Sequence, residues 1–398
     1  MAKRHKRRTW PWVVLFGGLL LAALFYLGGG WYFAGQVYED ALKAEPYDAT
    51  SLQKGTITAI EVTEETKTVT LLPDEEDRDE TKFDHAIVGL VIGDSNIVVG
   101  PAKVGEDGSE VRAVREIHGE SPKPGDRYGL TRDVWSTPGN AGLKAEEVEF
   151  ATLEGQRYSA WRVRASNSDN WAVLTHGKGA SRAEMLRMGR TLHRAGYSLL
   201  IITYQNDAGA PATDDGMVHY GRTEWKEVEG GVQYALDQGA KEIVLGGVSH
   251  GGAVTLGFLA LSPMANQVSG VILDAPASSL QDVIDAAADF RELPVVGLPI
   301  PESLEATAMW IVAARYGVDY GAVDYTGMKD LVRSPLLTIQ GSDDRTVPKA
   351  VNDRFMGADG AGEGGQYLVV DRADHVLSWN LGPKAYEDKV TKFVRALK

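Results

Sequence analysis

A chain of 398 residues with 43% hydrophobic side chains can hold two domains, or one large domain with an accessory piece, and has ample apolar material for a buried core, which excludes a disordered polymer. Its net charge of -14 repels phosphate backbones and anionic headgroups, so nucleic acid is not expected as a partner. Cysteine is absent, which rules out a disulfide framework, a thiol nucleophile and a thiolate metal site.

Charge is unevenly placed. Lys3, Arg4, Lys6, Arg7 and Arg8 crowd the first eight residues, whereas every acidic residue lies at Glu39 or beyond. Between them runs TWPWVVLFGGLLLAALFYLGGGWYFAGQVY, uncharged throughout and long enough to cross a bilayer core of about 30 Å as a helix. Trp10, Trp12, Trp31 and Tyr32 stand near its two ends, where amphipathic rings favour the membrane interface. The expected arrangement is a basic cytoplasmic segment over 1–9, an uncleaved transmembrane signal-anchor over 10–35, and the rest of the chain outside the cell membrane. A cleaved signal peptide and a buried core helix are the alternatives; against the first, the apolar stretch exceeds an ordinary h-region and carries no A-x-A site.

Residues 36–164 read as a β-rich accessory region: the short alternating runs TITAIEV, TVTLL, AIVGLVIG, NIVVG and EVRAV are separated by Gly, Pro, Asp and Glu clusters, the pattern of antiparallel strands. The acidic run DEEDRDE, Asp74 to Glu80, reads as a solvated loop. From 165 to 398 the rhythm becomes strand, helix, strand. WAVLTH is a buried strand; SRAEMLRMGRTLHRAG is an amphipathic helix with Ser181 and Glu184 as a capping box and Gly196 as its stop. Strands YSLLIITY, KEIVLGG, GVILDAP, PLLTIQG and QYLVVD follow, with helices between them. Such alternation predicts a mostly parallel sheet covered by helices, with function at the carboxyl ends of its strands. The stretch 278–333 reads as a small helical cap inserted in this domain; PVVGLPIP with Met309, Trp310 and Ile311 suggests an apolar pocket wall, and core packing explains those residues equally well.

At a strand-to-helix junction in this second region stands GGVSHGG, Gly246 to Gly252. A dinucleotide fingerprint needs glycines at i, i+2 and i+5, and no register here supplies them; a P-loop would end in Gly-Lys-Ser/Thr, whereas this stretch continues Gly251, Gly252, Ala253. What fits is G-x-S-x-G over 247–251, the nucleophile elbow, in which the serine sits on a strained turn and flanking side chains would collide with strand and helix.

A serine hydroxyl needs a base, and the base needs a carboxylate. With the chain order Ser, acid, His, seven of the eight histidines are discarded: six precede the serine and His250 lies inside the elbow. His375 remains, in VVDRADHVL just after a strand. For the acid, PLLTIQGSDDRTVP offers Asp344 in Gly-x-x-Asp-x-x-Val-Pro, with Asp343 and Asp274 as alternatives. The backbone N–H of His250 is one expected oxyanion donor and that of Lys178 the other, Gly179 being the alternative in THGKGAS. His176 reads as shaping that loop and not as a metal ligand, since no second histidine stands at ligand spacing. No cofactor and no metal are expected.

With HGKG, GVSHGG, GSDDRTVP and ADH in order, the chain from about Trp171 onward resembles the α/β-hydrolase superfamily. YQNDAGAPATDDG and YGRTEW, with the N-terminal anchor and the β-rich leader, resemble a branch of membrane-anchored actinobacterial hydrolases related to prolyl-oligopeptidase-like and acyl-hydrolase groups. The resemblance implies an α/β-hydrolase fold, a triad of Ser249, Asp344 and His375, and Lys178 and His250 as oxyanion donors. Gln205 departs from it, standing where that branch leads one to expect arginine; Gly179, Asp207 and Trp310 are candidate substrate contacts. The expected activity is serine-ester hydrolysis on a small-molecule or lipid-like acyl substrate. A peptidase and a non-catalytic binding module that keeps the fold are the alternatives. Oligomeric state is not legible.

Overall fold

The computed structural model describes residues 10–45, 53–63, 66–75, 83–166, 169–294, 297–327, 333–357 and 365–397. The basic cluster over 1–9 and most of the acidic run after Glu75 lie outside the described residues.

Helix α1 (Trp10–Val37) runs into one π-helical turn over Tyr38–Leu42. Six antiparallel strands follow: β1 (Gln53–Val62), β2 (Lys67–Pro73), β3 (Val88–Ile92), β4 (Ser95–Val104), β5 (Glu110–His118) and β6 (Arg127–Thr131). They close into a barrel in the order β1-β2-β5-β4-β3-β6. Every second residue turns inward, so that Ile57, Val69, Leu71, Val88, Leu90, Ile97, Val99 and Leu130 form its core, as the period of two requires. Register shifts in β1 between Ile57 and Ala59, and in β4 between Val98 and Ala102, supply the extra bend that closure of a small barrel needs.

The second sheet contains β7 (Ala145–Ala151), β8 (Arg157–Val163), β9 (Asn170–Thr175), β10 (Ser198–Ile202), β11 (Glu242–Val248), β12 (Gly270–Asp274), β13 (Leu336–Gly341) and β14 (Gly365–Val370). Its order is β14-β13-β12-β11-β9-β10-β8-β7. Strands β9 to β14 pair in parallel, and β8 and β7 add an antiparallel edge. The inner strands β9, β10, β11 and β12 are apolar and almost wholly buried, the signature of a sheet covered on both faces. Between the strands lie α2 (Leu186–Arg194), α3 (Trp225–Asp237), α4 (His250–Leu261), α5 (Leu280–Asp289), α6 (Glu302–Tyr316), α7 (Lys349–Met356), α8 (Ser378–Leu381) and α9 (Pro383–Arg395).

The sequence grouped residues 145–163 with the accessory strands, whereas the structure places β7 and β8 in the eight-stranded sheet, β8 bonded to β10 through Leu199 opposite Val163. RYSAWRV buries alternate residues at Tyr158 and Ala160, as a barrel strand does, so alternation does not tell the two sheets apart. The capping box at Ser181 is also half realised. Ser181 accepts the Ala183 N–H at 3.3 Å, but Glu184 turns away from the cap to another partner, described below.

By contacts the chain forms two compact units. One joins the described residues up to Lys43 with Ile284–Gly321; the other comprises Ala44–Val283 and Ala322–Lys398. In the first, Gly29 and Gly30 of α1 lie against Leu304, Thr307 and Ile311 of α6, where a methyl group at Gly30 would stand 2.8 Å from Thr307 Cγ2. The second holds the barrel, the eight-stranded sheet and the residues discussed next.

Candidate active site

Ser249 stands between β11 and α4 with φ 51° and ψ -119°, a conformation that an L residue adopts only under constraint. The constraint is visible in the backbone: the Ser249 N–H donates to Asp274 O at 2.9 Å, and its carbonyl accepts the N–H of Gly252 at 2.9 Å and of Ala277 at 3.0 Å. The surrounding glycines have steric reasons. A Cβ at Gly247 would lie 2.5 Å from Gly251 O, one at Gly251 would lie 2.2 Å from Thr175 O and 2.4 Å from His176 O, and one at Gly252 would lie 2.6 Å from Pro276 Cβ. The elbow can be this sharp only where side chains are missing.

His375 follows β14 in a loop and Asp344 follows β13. Nδ1–H of His375 donates to Asp344 Oδ2 at 2.9 Å, and the Ser249 hydroxyl donates to His375 Nε2 at 2.8 Å. Asp344 is fully buried, and its carboxylate also accepts Thr346 N–H at 3.0 Å, Val347 N–H at 2.8 Å and Gln340 Nε2 at 3.1 Å. These donors fix its orientation, and Asp344 fixes the tautomer that leaves a lone pair on Nε2 facing the serine. The two alternative acids do not meet the histidine ring. Asp343 is exposed and accepts the Ser342 hydroxyl. Asp274 is buried, which pushes its carboxyl up to about 6, and it serves the elbow through its backbone carbonyl.

Gly177 packs on the nucleophile, 3.3 Å separating a Cβ placed there from Ser249 Cβ. Its own N–H is taken by Glu184 Oε2 at 2.7 Å, and Lys178 and Gly179 follow it in the loop, the latter at φ +63°. His250 is the first residue of α4, where an N–H at a helix N-terminus points outward with the favourable end of the helix dipole. Its ring is buried against Tyr204 and Tyr220. Burial, and after it the neighbouring Glu224 acting in the opposite sense, leave that imidazole down at about 4, neutral and away from the proton relay.

His176 sits under the oxyanion loop. Both ring nitrogens face acceptors, Nδ1 at 2.9 Å from Gly177 O and Nε2 at 2.9 Å from Asp207 Oδ2. Burial opposes the charge, but Asp207 and the Gly177 carbonyl outweigh it and raise the imidazole, and the ring ties the loop to Asp207. Asp207 also accepts the Tyr204 N–H at 2.9 Å. Its carboxylate is thus committed to the loop's support, and Gln205 turns to Thr223 Oγ1 at 2.6 Å. Trp310 belongs to the first unit, on α6, and is exposed.

Several supporting residues escaped the sequence reading. Glu184, buried in the turn before α2, pairs with Arg132 at 3.0 Å, at the end of β6, while holding Gly177. Burial works against its charge, but Arg132, Arg187 and the Gly177 N–H hold the carboxyl below the usual range. Arg187 donates to the carbonyl of Val376 at 3.0 Å and to Asn380 Oδ1. Val376, next to His375, has φ +59°, a costly conformation for a β-branched residue. Asn380 Nδ2 in turn donates to Ile87 O at 2.6 Å and Arg132 O at 2.9 Å, and Ala373 and Leu377 of the histidine loop join the barrel core. The barrel therefore braces both the histidine loop and the oxyanion loop. The one available signal was that Glu184 and Arg187 lie on the apolar stripe of an amphipathic helix, beside Met188 and Leu192, where a solvated charge has no place. Glu45, shortly after the π-helical turn, reaches the loop of Gly177, its carboxylate 4.0 Å from Lys178 Nζ, while the neighbouring Ala44 N–H donates to Gly216 O at 2.9 Å.

Behind Tyr204 and Gln205, burial pushes Glu227 of α3 up to about 8. In the unfolded chain it ionises near the ordinary 4.5, so between these values folding takes up a proton and stability falls as pH rises. Glu227→Gln removes this dependence. Its melting temperature should match the parent's below about pH 4 and exceed it by a growing margin toward pH 8; a margin independent of pH would contradict the assignment.

The second unit has the α/β-hydrolase fold. Solved structures with which the chain shares it include the Pyrococcus furiosus esterase Pf2001, at 19% identity over 66% of this chain and 95% of that one, with a TM-score of 0.51. More distant likenesses are a membrane phospholipase A described as a bacterial virulence factor (17% identity, 65% of this chain and 88% of that one, TM-score 0.46) and the α/β hydrolase GrgF from Penicillium sp. sh18 (19%, 64% and 99%, TM-score 0.47). No family model matches the chain, and no curated protein matches it.

Proposed function

We infer that this chain is a serine hydrolase that cleaves a carboxylic ester, with Ser249 as nucleophile, His375 as general base and acid, and Asp344 as the orienting carboxylate. The observation that carries the reading is the unbroken relay from Ser249 Oγ through His375 to Asp344, with contacts of 2.8 and 2.9 Å, on a strained elbow that has no other evident use. Ser249 Oγ attacks the acyl carbonyl while His375 Nε2 takes its proton; the tetrahedral oxyanion is met by the backbone N–H groups of His250 and Lys178. His375 then protonates the leaving alkoxide. Water, deprotonated by the same nitrogen, releases the acid from Ser249. The fold shared with an esterase agrees with this chemistry.

Helix α1 is long and apolar enough to cross a membrane, and with the basic residues before it it is read as a single-pass anchor that leaves the catalytic unit outside. The substrate class follows as a small or lipid-like acyl ester. The test is turnover by the full chain in detergent of p-nitrophenyl esters of graded acyl length, set against peptide anilides. Ester turnover well above anilide turnover is expected. Anilide turnover alone would replace the ester reading with a peptidase, and no turnover of either class would favour a binding module.

A further inference from the structure

The apolar helix is two segments with different surroundings. From Trp12 to Gly28 every residue is exposed, a length of about 25 Å at 1.5 Å per residue, close to the roughly 30 Å of a bilayer's hydrocarbon core. From Tyr26 onward the helix has a partner, α6, and from Gly29 that partner begins to bury it. The contacts advance together along both helices. Tyr26 bonds Ser303 at 2.9 Å, Gly29 and Gly30 meet Leu304, Thr307 and Ile311, Arg315 lies over the Trp31 ring at 4.4 Å, and Tyr38 stacks on Tyr316 at 4.7 Å. The two helices are therefore parallel, and the first turns of α6 are level with the point where the bare apolar stretch ends. Arg291 pairs with Asp40 at the far end of the contact.

The outer face of α6 is unusual. Ser303, Ala306, Trp310 and Ala314, spaced as one face of a helix, are exposed and uncharged, with Glu302 and Arg315 to its sides. A water-facing helical stripe is normally polar; this one presents Trp310 at 67% exposure. The segment leading into α6 adds Leu298, 58% exposed, whose carbonyl accepts the Leu293 N–H at 2.7 Å. Tryptophan beside small residues, at the height where an apolar span ends, is the composition of a membrane–water interface.

We propose that α6 and the residues leading into it from 297 form a lipid-docking element, with Trp310 and Leu298 seated in the outer leaflet of the bilayer that α1 crosses. The occupant is a phospholipid surface, because the face is continuous with a helix whose bare length already matches the bilayer. The proposal rests on reading α1 as a membrane span. It assigns Trp310 a contact with lipid in place of a pocket wall.

The absence of native cysteine permits unique labels. Full chains carrying Leu20→Cys, Leu298→Cys, Trp310→Cys, Phe290→Cys or Leu153→Cys, each modified with an environment-sensitive fluorophore and checked for an unchanged thermal melt, are reconstituted into phosphatidylcholine vesicles with acyl-chain nitroxide lipid as quencher. The expected order of lipid quenching is Leu20 greatest, then Leu298 and Trp310, then Phe290 beside the Arg291–Asp40 pair, and finally Leu153 on the catalytic unit at the aqueous baseline. Quenching at Leu298 and Trp310 should exceed that at Leu153 several-fold. If Leu20 is quenched by lipid but Leu298 and Trp310 behave like Leu153, the docking element is refuted and the anchor stands. If Leu20 is not quenched, the anchor itself fails and the proposal with it. If Leu298 and Trp310 are shielded from both lipid nitroxide and aqueous iodide while spin labels there couple between chains, the face is occupied by a second copy, which also overturns the proposal.

Discussion

Ser249→Ala should lower turnover of a p-nitrophenyl ester by about 10⁴ to 10⁶-fold, His375→Ala should cost nearly as much, and the double variant should lose little more. The reason is that the hydroxyl and the imidazole, 2.8 Å apart, act in one proton transfer, so removing either forfeits the same transition-state stabilisation. Asp344→Asn should cost less, since it orients the imidazole without reacting, although the amide's N–H group set against His375 Nδ1 would favour the wrong tautomer. All three side chains sit at loop ends, so the melting temperatures should stay near the parent's. Strictly additive losses for Ser249 and His375 would show that they do not act as one relay.

Gly251→Ala should be among the most damaging single methyl groups in the catalytic unit. Its Cβ would stand 2.2 Å from Thr175 O and 2.4 Å from His176 O. Both are backbone atoms at the end of β9 and the start of the oxyanion loop, so no side chain can turn aside. Relief requires α4 to move away from β9, which breaks the packing of a helix buried from His250 to Leu259. Overpacking against backbone of this kind should cost upward of about 3 kcal/mol, a fall of roughly 5 °C in melting temperature for a unit of this size. What folds should also be a poor catalyst, because Gly177, Lys178 and the His250 N–H shift with the two segments. Gly139→Ala, where the nearest atom is 3.7 Å away, is the control and should change the melt by less than about 2 °C. Equal melts for the two variants would contradict the steric account of the elbow.

The contrast between Gly251 and Glu184 shows where sequence reading succeeds and where it stops. The elbow is local: strand, serine and helix are consecutive, so its G-x-S-x-G pattern is legible within five residues, although the atoms that Gly251 clears, Thr175 O and His176 O, come from a distant strand end. The acid and histidine loops follow the same logic, each lying at the carboxyl end of a strand recognisable by its own apolar run. Glu184 is different. As the third residue after Ser181 it fits a capping box, and only the approach of Gly177 and of Arg132 from the barrel turns it into a support of the oxyanion loop. Asn380 and Arg187 likewise act through partners far along the chain. The closure of the barrel, the membership of β7 and β8 in the larger sheet, and the pairing of α1 with α6 are all long-range. For the last of these the sequence did carry a trace, in the glycines at 29 and 30, whose use as a helix-packing surface becomes apparent only beside Leu304 and Thr307.

The central claim, that Ser249 is an activated nucleophile, is tested most directly by intact mass spectrometry of the full chain after treatment with a fluorophosphonate. The account predicts a single stoichiometric adduct that peptide mapping assigns to Ser249, formed at a rate that collapses in His375→Ala and absent in Ser249→Ala. No adduct on the folded wild-type chain, or an adduct that persists in Ser249→Ala, would contradict it.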